Sequence, residues 1–201
     1  MKMPFWKQTS DSSCGPSCLL MVLNRYYPSF KLTRGNEWNV WRDSTLLTWK
    51  GCHPYGLAIA ALKRGLKVEL LREKKTFWKD EDYPTNNEPM SFEIKRQEKA
   101  AKDLGLKETV MKSIEIGLLQ KLLEEGKSLI VLIKAIQKGR RIGFLHWVVL
   151  TAVEKDFVLV NDPGYAEKAY KRIPLPLFMK AWDRARDSRL CTAKEILVME
   201  K

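Results

Sequence analysis

The segment FLHWVVLTAVEKDFVLVND, residues 144–162, contains two apolar, β-branched runs separated by a short charged turn. This pattern is typical of two antiparallel strands joined as a hairpin. If the turn is centred near Glu154, facing residue numbers add up to about 308, and His146 lies opposite Asp162. The side chains of such a pair share one face of the sheet, with Cβ atoms about 5 Å apart. The segment therefore predicts a β-sheet that carries a histidine–carboxylate pair. A different loop length would change this register.

Helical patterns mostly precede this hairpin, and further strand patterns surround it. Apolar periodicity, together with proline and glycine boundaries, predicts helices over residues 14–27, 36–49, 55–65, 91–105, 116–126 and 174–186. Short β-branched runs predict strands over residues 66–71, 127–136, 144–153, 156–161 and 193–200. Because helices come mainly first and strands later, the order predicts an α+β fold. In this fold an N-terminal helical layer packs on an antiparallel β-sheet.

The length of 201 residues suits one domain, residues 1–201, with a substantial core. Residues 72–90 are charged and contain Pro84 and Pro89, which predicts a surface insertion. The longest apolar runs are far below the roughly 20 residues of a membrane-spanning helix. The first ten residues, MKMPFWKQTS, lack the apolar core of a signal peptide. We therefore expect a cytoplasmic protein with no membrane-spanning segment.

The motif CGPSC at residues 14–18 contains the candidate nucleophile. Cys14 lies at the start of the first predicted helix, where unpaired N–H groups favour a thiolate over a thiol. Gly15 has no side chain beside the sulfur, so a substrate backbone could approach closely. Cys18 lies one turn further on among apolar residues and is predicted to be part of the core. The chain has four cysteines, Cys14, Cys18, Cys52 and Cys191. Cys14 is the one whose position, at a predicted helix start, favours a reactive thiolate.

The chain has two histidines, His53 and His146. An aspartate facing His146 would hold the tautomer of the imidazole and stabilise its charged form, as in hydrolytic triads. His53 precedes Pro54 at a predicted helix start, with no carboxylate partner suggested nearby, which favours a structural role. Gln8, six residues before Cys14, could donate its side-chain amide to a developing oxyanion. The combination predicts a Cys14–His146–Asp162 site.

These residues resemble peptidase family C thirty-nine, a branch of the papain-like clan that is best known for bacteriocin-processing cysteine peptidases. The resemblance rests on motifs in the right order over nearly the whole chain: Gln8, Cys14-Gly15-Pro16, His146-Trp147-Val148-Val149 and Asn161-Asp162-Pro163. The stretch GCHPYGLAIAALKRGLKVEL, residues 51–70, is most similar to a stand-alone branch of that family. Better-known members are fused to a membrane exporter and cut leader peptides after a double glycine.

The resemblance implies a papain-like fold and a peptide or protein substrate, with no cofactor. It implies that Cys14 is the nucleophile and His146 the general base. It also implies that Asp162 is the orienting acid and Gln8 the oxyanion donor. The reaction itself stays open, because papain-like sites also transfer acyl or γ-glutamyl groups through the same acyl-enzyme, and an inactive binding domain is a further alternative.

Two other classes of function are compatible with parts of the sequence. Cys14, Cys18, Cys52 and His53 have zinc-ligand chemistry, but the spacing lacks the usual C-x2-C knuckle, so we predict no metal site. The formal net charge of +12 and four tryptophans (Trp38, Trp41, Trp49 and Trp78) permit a nucleic-acid partner. Lysine and arginine are spread along the chain among acidic residues, which argues against nucleic acid as the main partner.

Overall fold

The computed structural model describes residues 2–46, 49–73, 88–136, 142–165, 169–185 and 193–201. The helices of these residues are α1 (Cys14–Tyr26), α2 (Arg34–Ser44), α3 (Pro54–Leu62), α4 (Glu88–Asp103), α5 (Ile116–Glu124) and α6 (Leu175–Asp183). The strands are β1 (Thr45–Leu46), β2 (Trp49–Cys52), β3 (Lys67–Arg72), β4 (Lys107–Val110), β5 (Ser128–Ile136), β6 (Ile142–Val153), β7 (Phe157–Asn161), β8 (Lys171–Pro174) and β9 (Glu195–Glu200).

Seven strands form one sheet in the order β4-β3-β9-β5-β6-β7-β8, and β1 and β2 form a separate short hairpin. Neighbouring strands of the large sheet are antiparallel except β3 and β4, which are parallel. The central strand β5 and residues 146–150 of β6 are almost entirely buried on both faces of the sheet, as their continuous apolar runs require. The predicted α+β class with a mainly antiparallel sheet is confirmed.

Helices cover both faces of the large sheet, whereas the sequence predicted one helical layer in front of it. On one face α1, α3 and α4 bury their apolar sides, with Leu19 and Leu57 packed near Val149 of β6. On the other face α5 and α6 pack against the opposite side of the same strands, with Trp182 near Val148. The second layer exists because α5 and α6 each carry one apolar stripe that has to be buried.

The β6–β7 hairpin has a register two residues away from the predicted one. Val149 lies opposite Asn161, where the prediction places residue 159, and the register shifts again at a bulge between Leu150 and Ala152. The turn is longer than predicted, because Val153 pairs with Val158 and residues 154–157 lie between them. At Val149 and Leu150, before the bulge, the shift is two residues, which keeps these side chains on their predicted face. Asp162, which directly follows β7, is therefore a diagonal neighbour of His146 instead of its facing partner.

Helix α2 ends at Ser44, whereas the prediction extended it to residue 49. Gly56 of α3 lies so close to the Ser44 carbonyl that a Cβ at position 56 would overlap it. The following carbonyl, of Thr45, accepts a hydrogen bond of 3.0 Å from Gln97 of α4. The chain therefore leaves the helix where α3 and α4 cross it, and Thr45 begins the short strand β1.

The predicted surface insertion around residues 72–90 is bordered by regular structure at both ends. Arg72 is the last residue of β3, is 1% exposed and bonds to Glu195 and Glu108. Residues 88–90 belong to α4, and residues 74–87 lie outside the described residues, as does Cys191, so the insertion itself stays a prediction. Within the described ranges, no helix has both the length and the apolar character that crossing a lipid bilayer requires.

Candidate active site

Cys14 is the first residue of α1, as predicted, and is partly exposed. Gly15 beside it is buried, and a Cβ added there would lie 3.0 Å from a methyl carbon of Leu57 and 3.1 Å from Cδ1 of Trp147. Close packing of α1 against α3 and β6 is therefore one reason for a glycine at this position. Room for a substrate backbone beside the sulfur stays a prediction.

His146 and Asp162 form a buried pair beside the thiol. His146 Nε2 lies 2.9 Å from Asp162 Oδ1, and both side chains are about 2–3% exposed. The Cys14 thiol lies next to the His146 imidazole and interacts with it electrostatically. Because Nε2 is taken by Asp162, Nδ1 is the ring nitrogen that remains for the sulfur. The structure thus places the three predicted residues beside one another.

Asp162 accepts three further hydrogen bonds that hold its carboxylate in place. The backbone N–H groups of Gly164 and Tyr165 donate to Oδ1 over 3.1 and 2.9 Å. Lys171 of β8 donates to Oδ2 over 2.9 Å. No sequence pattern pointed to Lys171, because its contact depends on the pairing of β8 with β7. Asp162 therefore has a cationic partner on each side, His146 and Lys171.

The electrostatics of the group favour a thiolate and a charged imidazole. Burial opposes ionisation of the Cys14 thiol, but its hydrogen bond with His146 and the backbone N–H groups of Trp147 and Gly15 outweigh burial, so its pKa is lowered. Burial also opposes the charged form of His146, but hydrogen bonds to Asp162 and Cys14 raise its pKa to about 9. At Asp162 the effect of burial is overcome by His146 and Lys171, which hold the pKa well below its usual range.

Gln8 lies in the loop before α1 and contacts the loop that follows Asp162. Its backbone N–H donates to Pro163 O over 3.0 Å, and its side-chain Nε2 donates to Ser10 O over 2.8 Å. An added Cβ at Gly164 would lie 3.0 Å from His146 Cε1 and 3.1 Å from Gln8 Oε1, so glycine allows this loop to pack on both residues. A carboxamide nitrogen carries two N–H groups, so one donor of Gln8 remains beyond the bond to Ser10.

The other candidate ligands of the zinc hypothesis have separate local roles. The Cys18 thiol donates to Trp147 O over 3.3 Å, and the Cys52 thiol lies 3.3 Å from the Ser44 hydroxyl. Burial raises the pKa of both thiols. The Nδ1 of His53 accepts from the Tyr55 N–H at the start of α3, the structural role expected for this residue. Burial, with the charge of Arg72, lowers the pKa of His53 well below its usual value.

We predict that the protein binds no structural zinc. The described residues contain no group of three or more metal-ligating side chains close enough to hold an ion. Purified protein should therefore contain well below one equivalent of zinc, and a chelator should leave its melting temperature unchanged, because unfolding would not be coupled to metal release. One equivalent of zinc bound through Cys14 and Cys18 would contradict this prediction and remove the free thiol from the site.

A cleft of about 680 Å³, its open mouth included, begins at Cys14. Its wall is mainly apolar and includes Pro54, Leu132, Phe144, Leu145 and Trp147. The Phe144 side chain is 53% exposed, and the Tyr165 ring lies edge-on to His146 with ring centroids 5.4 Å apart. The partly exposed Cys14 side chain therefore borders an open, mainly apolar cleft.

The tryptophans proposed as nucleic-acid platforms are not arranged as one exposed surface in the described part of the chain. Trp38 is half exposed, but its ring packs edge-on against Trp41 at a centroid distance of 5.4 Å, with Arg34 above it. Residue 78 and the side chain of residue 49 lie outside the described residues. The observed tryptophan pair therefore serves packing of α2.

Solved structures with the same fold are peptidase domains. The peptidase domain of Streptococcus ComA, a bifunctional ABC transporter of a quorum-sensing pathway, matches with a TM-score of 0.51 and 14% identity, covering 100% of both chains. A double glycine motif protease of an AMS/PCAT transporter, in complex with its leader peptide, matches with a TM-score of 0.50 and 16% identity, covering 100% of this chain and 93% of that one. These likenesses confirm the papain-like fold.

A comparison with curated protein sequences gives no match. The family model described as "Peptidase_C39 like family" matches residues 3–185. The match spans the segment of every predicted site residue, from Gln8 to Asp162, and confirms the family resemblance stated from the motifs. The chain belongs to the Peptidase_C39 like family.

Proposed function

We propose that this chain is a cysteine peptidase that hydrolyses a peptide or amide bond through a thioester acyl-enzyme. The observation that carries the proposal is the position of Cys14, which borders a cleft and lies next to the buried, hydrogen-bonded pair of His146 and Asp162. The membership of a peptidase-like family supports it. A solved structure with this fold holds a leader peptide, which supports a peptide segment as the class of substrate.

The residues can perform both half-reactions. The Cys14 thiolate attacks the carbonyl carbon, and the carbonyl oxygen becomes an oxyanion. The His146 imidazolium then gives its proton to the leaving amine, the C–N bond breaks and a thioester remains. Neutral His146 next takes a proton from a water molecule, whose oxygen attacks the thioester. The acid product leaves, and the thiolate and imidazolium are restored.

Asp162 and Gln8 support these steps in different ways, Asp162 at the imidazole and Gln8 at the oxyanion. Asp162 keeps the imidazole ring in place and stabilises its charged form, which both steps require. The free N–H of the Gln8 carboxamide, together with the backbone N–H of Cys14, donates to the oxyanion. Lys171 neutralises the outer oxygen of Asp162, so the carboxylate stays ionised across the working range of pH.

The test is selective reaction of Cys14 with a thiol-directed acyl probe, followed by identification of cleaved peptides from cell extract by mass spectrometry. We expect Cys14 to react well before Cys18 and Cys52 at neutral pH, because only its thiol pKa is lowered among these three. Equal labelling of the three thiols in folded protein would contradict the proposal.

The pH dependence of hydrolysis provides a second measurement. The thiolate–imidazolium pair exists above the lowered pKa of Cys14 and below the pKa of His146, which is about 9. Activity should therefore rise at acid pH as Cys14 ionises and fall as pH increases through about 9, when His146 loses its proton. A rate that keeps increasing above that pH would exclude His146 as the proton donor.

A further inference from the structure

Glu37 of α2 is a buried carboxyl group that the proposed mechanism does not use. Its side chain is 0% exposed, and four groups that can donate hydrogen bonds lie within reach of it. Trp6 Nε1 donates to Oε2 over 2.9 Å, and the Thr9 N–H donates to Oε1 over 2.9 Å. The Ser17 hydroxyl lies 3.0 Å from Oε1, and the Ser13 hydroxyl lies 2.6 Å from Oε1 and 2.9 Å from Ser10 O, the two acceptors available to its single proton. Because its partners are all N–H or O–H groups, this position requires a side chain that accepts hydrogen bonds.

These contacts join three parts of the molecule that meet at the site. Trp6 and Thr9 lie in the loop that carries Gln8, Ser13 directly precedes Cys14, and Ser17 lies on the first turn of α1. Burying a carboxyl group is costly unless its oxygens are fully bonded, so packing alone would favour an apolar residue at position 37. The burial of Glu37 is therefore better explained by its hydrogen bonds to the loop and to α1 than by a contribution to apolar packing.

The backbone of Gln8 is fixed on both sides. Its own N–H donates to Pro163 O, next to Asp162, and the following N–H, that of Thr9, donates to Glu37. The first bond ties Gln8 to the histidine side of the cleft, and the second ties it to α2. These two hydrogen bonds fix the backbone position of Gln8, and so they fix the point from which its carboxamide reaches the oxyanion.

The start of α1 shows a related effect. Ser13 is the residue before the helix, a position from which serine commonly caps the first N–H groups with its hydroxyl. Here its side chain makes no cap bond and contacts Glu37 instead. Ser13 therefore connects Glu37 with the residue before Cys14, whereas the Thr9 N–H connects Glu37 with the loop that carries Gln8.

We propose that Glu37 is a positioning residue that acts through Gln8: it fixes the loop from Trp6 to Ser13 and so holds the oxyanion donor in place. This inference rests on the proposed function. It goes beyond that function because it assigns to a buried α2 residue a role in one defined step, the formation of the oxyanion.

The experiment compares two small reagents that attack the same thiol. Iodoacetamide reacts by displacement: a bond from sulfur to carbon forms, iodide leaves and no oxyanion arises. The ester p-nitrophenyl acetate reacts through a tetrahedral oxyanion, gives the thioacetate of Cys14 and releases p-nitrophenolate. The ratio of the two rates therefore reports on the oxyanion donors separately from the thiolate, and it needs no natural substrate.

The variants are Glu37→Gln, Gln8→Ala and the two combined. We expect Gln8→Ala to slow acetylation by about 10²-fold and alkylation by less than about threefold. Glu37→Gln should slow acetylation by about tenfold with the same small effect on alkylation. In the Gln8→Ala background Glu37→Gln should change acetylation by less than about twofold, since it acts through a group that is already gone.

Glu93→Gln is the matched control. Glu93 is also a buried carboxyl group on a helix, but its contacts are Arg96 and Gln97 of α4. This variant should leave the rate ratio unchanged even if it lowers the melting temperature as much as Glu37→Gln does.

If Glu37→Gln does not fold, Trp6→Phe removes one donor from Glu37 and should reduce acetylation selectively by about threefold.

The outcomes separate the two proposals. Equal slowing of both reagents by Glu37→Gln, or full additivity with Gln8→Ala, would overturn the role of Glu37 and leave the peptidase proposal intact. An unchanged ratio in folded Trp6→Phe would have the same consequence where Glu37→Gln cannot be measured. A wild-type Cys14 that reacts no faster than Cys18 with either reagent would refute the proposed function itself.

Discussion

Cys14→Ala should abolish hydrolysis, with a loss of at least about 10³-fold, because the variant lacks the thiol that forms the proposed thioester. The fold should survive. The Cys14 side chain is partly exposed at a helix start, so the smaller alanine leaves no large internal cavity, and the free energy of unfolding should change by about 1 kcal/mol or less. The measurements are peptide cleavage by mass spectrometry and thermal unfolding of the same sample.

Cys52→Ala is the control for this experiment. Cys52 also borders the cleft, but its thiol contacts Ser44 and its pKa is raised by burial. This variant should keep its hydrolytic activity while losing some stability, since a buried side chain is truncated. Cleavage that persists in folded Cys14→Ala would show that a different nucleophile, or a contaminating enzyme, is responsible.

The features that local sequence encodes were predictable. The start of α1 at Cys14, the strand character of β5 to β7 and the N-terminal role of His53 in α3 follow from proline positions and β-branched runs. The meeting of His146 with Asp162 was predicted although the register was wrong. A shift of two residues preserves the face, so the pair became diagonal and stayed within hydrogen-bond distance.

The features that depend on contacts between distant elements were not predictable. Lys171 reaches Asp162 only because β8 pairs with β7, and nothing in the sequence near Lys171 marks a charged partner. Glu37 looks like an ordinary polar residue of an amphipathic helix, and its burial follows from the way the loop from Trp6 to Ser13 lies over α2. The end of α2 at Ser44 is likewise set by Gly56 of another helix.

The second large effect is expected for Asp162→Asn, which removes a charge with little change of size. The carboxylate stabilises the His146 imidazolium, and without it the pKa of His146 should fall from about 9. Fewer molecules then hold the thiolate–imidazolium pair at neutral pH, and the neutral amide also permits the wrong imidazole tautomer. We expect kcat/KM to fall by about 10²- to 10⁴-fold, with the alkaline limb of the pH profile displaced to lower pH.

Lys171 complicates this substitution and also provides its control. With the asparagine oxygen at the position of Oδ1, the new NH2 group faces Lys171 Nζ, which donates to Oδ2 in the present structure, so two donors would oppose each other. Asp162→Asn combined with Lys171→Met removes that conflict and isolates the effect of the carboxylate.

Lys171→Met alone retains the carboxylate and removes a positive charge that competes with the imidazolium. The alkaline limb should then stay near pH 9 or move above it. If the double variant keeps the wild-type limb, Asp162 does not act through the imidazolium, and its bonds to Gly164 and Tyr165 would leave it only the task of shaping the loop after β7.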